Sequence, residues 1–267
     1  MKLLSKLVLA LLMLMAINAY ALEEPPGAQS QEDADLYLAK LAQDQAEGKI
    51  YMDKGVEKSW EKAAVFIPGS IFQKSISSLK LDKKYPVLIY LHGCSGITRH
   101  NDLRWGQFVS EQGFVAILPD SLARPGRISN CDPSTSSTTF RFPMALIYRE
   151  QEIAYAMQEL KRLSWVDQDN IFLMGHSEGS NASAITRIRG FKGVILSSAF
   201  CHHGVTFDGS AKGLVINFLS DPWHQGVTAR CSKRLDNRPL EVIHLEGAGH
   251  DTFDVPAVRK AVSDFLK

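Results

Sequence analysis

The chain of 267 residues has no long block of charge of one sign: its 30 Lys and Arg nearly balance 29 Asp and Glu, leaving a formal net charge of +1. That argues against the basic face of a nucleic-acid-binding domain and against a polybasic membrane arm. No C-x-x-C pair is present, so neither a zinc knuckle nor a thioredoxin-like redox motif is expected. No internal repeat occurs, which sets solenoid architectures aside. The longest apolar run, Leu7–Ile17, is roughly a dozen residues, short of the ~20 needed to span a bilayer.

What that run does fit is an export signal. Met1-Lys2 and Lys6 give a positive start, and Ala19-Tyr20-Ala21 is a small-x-small cleavage site. Residue 22 is leucine, not the cysteine a lipoprotein would carry. The expected organisation is therefore a signal peptide over 1–21, a flexible leader over 22–31 and one globular domain over 32–267, opening with an amphipathic helix over Glu32–Glu47. A periplasmic or secreted location follows, with no stable membrane insertion after cleavage. Four cysteines, Cys94, Cys131, Cys201 and Cys231, fit two disulfides in such a compartment, with three connectivities possible and free thiols as the alternative.

Strand-like and helix-like runs alternate. Strands are expected at Val87–Leu91, Phe114–Leu118, Ile171–Met174, Val194–Ser197, Leu214–Leu219 and Glu241–Leu245, with an antiparallel edge strand at Ala63–Ile67. Helices are expected at Asp102–Gln112 (Leu103, Phe108 and Val109 inward), Met144–Leu163, after Ser177 through Ile188, at Val227–Leu235 and from Val255. Continuous apolar strands separated by helices imply an α/β fold, a mostly parallel sheet covered on both faces. Ligands bind such sheets at the carboxyl ends of the strands.

One such end reads Gly175-His176-Ser177-Glu178-Gly179. A serine between glycines at a strand-to-helix turn is the nucleophile-elbow pattern. Its chemistry needs a base and an orienting acid later in the chain, in the order Ser, Asp, His. His250 lies in a glycine-rich loop after the last strand, and Asp221 follows the strand before it. Asp208 and Asp236 are poorer acids by position, and Asp251 is too near His250 in sequence. His244, within a strand, is expected to pack. Oxyanion donors are expected from the backbone N–H of Glu178 and, in the loop His92-Gly93-Cys94-Ser95-Gly96, that of Cys94.

The strings LHGCSG and GHSEG, the helix carrying Arg149, the strand ending at Cys201, the Asp221 turn and RPLEVIHLEGAGHDTFD (Arg238–Asp254) resemble the dienelactone hydrolase family of α/β-hydrolases from about Val87 onward. The cytosolic members carry a cysteine nucleophile where this chain has Ser177. The resemblance thus implies an α/β-hydrolase fold with little or no cap domain and a general serine esterase that uses no metal or cofactor and acts on a small-molecule ester. His92, His202 and His203 match no zinc-ligand spacing. Two rivals remain, a serine peptidase of the prolyl-oligopeptidase type and a non-catalytic binding protein of the same fold.

Around the expected site, Arg124, Arg127 and Arg141 in the stretch 121–142 are either solvated loop residues or a clamp for an acidic substrate group. Trp105 and Trp223 are candidates for the wall of an acyl pocket. All four cysteines fall near the carboxyl edge of the sheet, where pairing Cys94 with Cys131 and Cys201 with Cys231 would join loops adjacent in sequence. The other connectivities remain open.

Overall fold

A computed structural model describes residues 55–127, 129, 131, 141–201, 204–207, 209–223, 231–232, 234 and 236–267. The expected signal, leader and Glu32–Glu47 helix lie outside these residues, as do most of the Val227–Leu235 helix, His202, His203 and Asp208.

The described elements are α1 (Val56–Glu61), β1 (Ala64–Phe66), β2 (Tyr85–Leu91), α2 (Asp102–Glu111), β3 (Val115–Leu118), α3 (Arg141–Arg162), β4 (Val166–His176), α4 (Glu178–Ile185), β5 (Gly193–Ser197), β6 (Lys212–Phe218), β7 (Glu241–Leu245) and α5 (Pro256–Phe265). The strands form one sheet in the order β1-β3-β2-β4-β5-β6-β7. Only β1 runs antiparallel, pairing Val65 with Ile117 at the edge; the others are parallel.

The strand runs are apolar throughout because both faces are covered. Val87, Ile89 and Leu91 of β2 pack with Trp60 of α1 and with Ile153, Met157 and Leu160 of α3. Leu88 and Tyr90 of the same strand join Trp105 and Val109 of α2 and Val258, Val262 and Phe265 of α5 on the other face. Alternate side chains thus enter separate cores, the mark of an interior strand.

Some packing differs from expectation. On α2 Val109 is buried as expected, but its large buried partner is Trp105, edge-on to Phe108 and Phe253, while Leu103 and Phe108 are half-buried. Trp105 is therefore core, not pocket wall. His244 is exposed, because β7 is the outermost strand on its side and lacks full cover. Helix α4 stops at Ile185, three residues before Ile188. The connection between β5 and β6 is too short to hold a cap domain.

Candidate active site

The turn between β4 and α4 is shaped by its glycines. A Cβ on Gly175 would sit 2.4 Å from the Gly179 carbonyl oxygen, and one on Gly179 would sit 2.3 Å from that of Leu91. Real Cβ atoms do not come so close to backbone, so only glycine lets α4 leave the sheet this tightly. Ser177 between them has φ 53 and ψ −115, a conformation that costs a non-glycine residue about 1–3 kcal/mol. Hydrogen bonds hold it there: its N–H donates to Ser197 O at 2.9 Å, and its carbonyl accepts from Asn181 at 3.1 Å.

Ser177 lines a cavity of about 220 Å³ at the carboxyl edge of the sheet, together with Cys94, Trp223, His250 and Asp251. His250 Nδ1 is 2.7 Å from Asp221 Oδ2. Asp221 is buried just past β6, and its other oxygen accepts the Trp223 N–H at 2.9 Å. The Trp223 ring stands 5.7 Å from that of His250, so this tryptophan does wall the cavity. Ser198, itself at φ 54, donates its hydroxyl to the His250 carbonyl at 2.5 Å and pins the histidine loop to the end of β5. Asp236, the alternative acid, is engaged by Arg234 at 3.0 and 2.8 Å.

Next to His250 lies a second polar chain. His176 is 4.9 Å from it, ring to ring, and places Nε2 3.3 Å from Asp251, whose other oxygen is 3.1 Å from His100. The hydrogen bond from His176 holds the Asp251 carboxyl below its usual range. Sequence order alone gave this group no role.

The loop after β2 closes the opposite side. A Cβ on Gly93 would be 3.4 Å from Ser177 Cβ, so the backbone leading into Cys94 passes directly against the serine. Cys94 is bridged to Cys131, and Cys201 to Cys231, the pairing that joins neighbouring loops. The Ser129 hydroxyl donates to the Cys94 carbonyl at 2.9 Å.

Arg124 and Arg127 are not solvated. Arg124 reaches Gln151 Oε1 at 2.5 Å and the Tyr148 carbonyl at 2.9 Å, and Arg127 reaches Glu178 Oε1 at 2.5 Å. Both guanidiniums point inward to a buried cluster that also holds His92, Arg149, Glu152 and Glu178. Arg141 is the first residue of α3. The sequence does carry a signal for part of this cluster. Along α3 the apolar positions Leu146, Ile153, Met157 and Leu160 follow helical spacing, and Arg149 and Glu150 occupy the slot between the first two. Charged residues on a core-facing stripe mark internal pairing.

Among the described residues, no group of three or more His, Cys, Asp or Glu is arranged to hold a metal ion, and no helix is long and apolar enough to cross a membrane.

No protein-family model matches the chain, and no curated protein matches it by sequence. Solved structures do. Est1E from Butyrivibrio proteoclasticus, with ferulic acid bound, aligns over 77% of this chain and 93% of its own, at 14% identity and a TM-score of 0.53. A puromycin-hydrolyzing peptidase from Mycobacterium tuberculosis aligns over 76% of this chain but 36% of its own, at 15% identity and a TM-score of 0.50. The chain has the α/β-hydrolase fold. In that fold the strand-to-helix turn at Ser177 and the loops after β2, β6 and β7 meet at one edge of the sheet.

Proposed function

We propose that this protein is an exported serine esterase in which Ser177 is the nucleophile, His250 the general base and Asp221 the acid that orients it. The observation that carries the reading is the 2.7 Å contact from His250 to Asp221, on an imidazole that shares a cavity with a serine at a strained turn. A carboxylate on Nδ1 keeps the proton there and leaves the lone pair on Nε2, the tautomer a base needs.

His250 takes the Ser177 proton as the serine oxygen attacks the ester carbonyl. Charge develops on the carbonyl oxygen, where the backbone N–H groups of Cys94 and Glu178 stabilise it. Glu178 is the first residue of α4, so the helix dipole adds to its N–H. His250 then protonates the leaving alcohol, and water repeats the sequence on the acyl-enzyme. The scheme asks for no metal or cofactor.

A cavity of about 220 Å³ lies below the range of drug-sized sites, roughly 300–1,000 Å³. With the Trp223 ring on one wall, it supports short acyl groups. The signal-like segment 1–21 and the two disulfides support a periplasmic or secreted location. The motifs LHGCSG and GHSEG support a relationship to the dienelactone hydrolase type, with serine in place of cysteine.

A panel of p-nitrophenyl esters of rising acyl length, run beside aminoacyl anilides, tests the proposal. The expected result is highest kcat/KM for the shortest acyl groups, one sulfonyl fluoride adduct on the Ser177 peptide, full activity in EDTA and no turnover by Ser177→Ala. Preference for anilides would make the protein a peptidase. Ser177→Ala activity within about tenfold of wild type would sink the assignment, since losing the nucleophile costs orders of magnitude.

A further inference from the structure

Two members of the buried charge cluster behind the cavity, His92 and Arg149, reach the Gly93–Cys94 peptide plane. The Gly93 carbonyl lies 2.6 Å from His92 Nδ1, accepts from Arg149 Nη2 at 3.4 Å and closes a turn with the Gly96 N–H at 3.3 Å. The same Arg149 nitrogen donates to the His92 carbonyl at 2.8 Å, and Arg149 Nε donates to Glu178 Oε1 at 3.1 Å. Arg149 is completely buried. One guanidinium therefore touches the backbone that leads into one oxyanion donor of the esterase reading and the side chain of the residue that carries the other.

In a trans peptide the carbonyl and the N–H of one plane point in opposite directions. Gly93 O and Cys94 N–H belong to the same plane. Holding the carbonyl against Arg149 and His92 turns the Cys94 N–H the other way. We infer that Arg149 and His92 are positioning residues: they hold the Gly93–Cys94 peptide in the orientation that presents the Cys94 N–H to an oxyanion formed at Ser177, while Arg149 also fixes Glu178. This rests on the esterase reading given above.

The plane needs such a clamp. Gly93 has no Cβ to bias its backbone, so rotation of the following peptide is cheap. The Cys94–Cys131 bridge fixes where the cysteine side chain goes but leaves the orientation of the preceding peptide free. His92 suits the task as a neutral ring. Burial, reinforced by the Arg149 cation, holds it well below its usual protonation range. The Ser121 N–H donates to Nε2 at 3.0 Å, which leaves the one ring proton to Nδ1, an atom 2.6 Å from the Gly93 carbonyl oxygen and 2.9 Å from Arg149 Nη2. Balancing the buried carboxylates does not by itself require these backbone contacts, since Glu178 is also paired with Arg127 at 2.5 Å. Arginine supplies several donors in one rigid fork, which lysine cannot.

The test compares Arg149→Lys, His92→Leu and His92→Asn with wild type, using p-nitrophenyl acetate and a trifluoromethyl ketone whose hydrate oxyanion mimics the transition state. Losing one oxyanion donor costs about 10²–10³ in kcat, so Arg149→Lys and His92→Leu should fall by about that factor with KM within about threefold. The ketone's Ki should rise in step with the loss of kcat. His92→Asn restores an N–H near the Nδ1 position and should recover most of both. Should Arg149→Lys fail to fold, the two His92 variants, which leave the ion pairs intact, decide the matter. A folded variant that keeps kcat, or one whose thermal midpoint drops while Ki and kcat stay at wild-type values, would overturn the inference. Failure of the esterase reading looks different: the wild-type protein would not bind the ketone, or Ser177→Ala would turn over ester.

Discussion

Gly179 lies so close beneath Leu91 that a Cβ on the glycine would sit 2.3 Å from the leucine's carbonyl oxygen. The contact ties the first turn of α4 to the end of β2, the two segments that flank Ser177. Leu91 is itself fixed by its pairing with Gly175 in the sheet, so it cannot yield to an added Cβ without disturbing that ladder. Gly179→Ala should therefore cost at least about 3 kcal/mol and abolish labelling of Ser177 by an organophosphate. Gly69→Ala is the control. It has a positive φ, which the helical Gly179 lacks, but a Cβ there meets nothing within 4 Å, so the variant should cost only about 1–2 kcal/mol. Thermal unfolding of the two variants compares them directly.

Asp221→Asn keeps the shape of the site but lets the imidazole adopt the wrong tautomer. Turnover should drop by about 10⁴-fold, with the fold and KM little changed. Asp236→Asn should keep its turnover, because that carboxylate is bound to Arg234 near the surface. Steady-state kinetics giving the reverse pattern would mean that a different acid orients His250.

Glu150 gives a pH-dependent expectation. It is buried and accepts the Arg187 N–H at 3.0 Å; burial pushes its carboxyl from 4.5 up to about 7. A raised carboxyl means that the folded protein binds the proton more tightly than the unfolded chain between those two values. Stability contributed by this group is thus lost as pH rises from about 4.5 to about 7. Glu150→Gln removes the titration while keeping an oxygen for the Arg187 N–H. Its thermal midpoint should exceed that of wild type by several degrees at pH 8 and match it near pH 4. Equal midpoints at both pH values would show that the carboxylate is already accommodated.

The residues differ in how openly the sequence declares them. GHSEG after an apolar run names both a turn and the serine proposed as nucleophile, because few residue types tolerate that backbone. The order Asp221 then His250 follows from strands that could be counted. The side chains behind the site were harder to find. Arg124 and Arg127 sit in a stretch with no period, where nothing local indicates whether an arginine faces water or a buried glutamate. Their partners, Gln151 and Glu178, lie 27 and 51 positions away. Trp105 and Trp223 are equally large and apolar. Only the placement of α2 over the sheet, and of the Asp221 turn over the cavity, separates the core tryptophan from the lining one.

The two bridges have a consequence for when the molecule becomes competent. Cys94–Cys131 and Cys201–Cys231 span 37 and 30 positions, and each is worth about 3–4 kcal/mol in the chain-entropy model. Both fasten loops at the carboxyl edge, on either side of β4, while the sheet beneath is held by its own ladders and two apolar cores. In a reducing compartment the scaffold would keep those forces and lose only the fastening of its rim. On the exported-esterase proposal, oxidation would then act as a finishing step, setting the loops around Ser177 only outside the cytosol, and the enzyme would stay blunt among the esters of the cell that makes it.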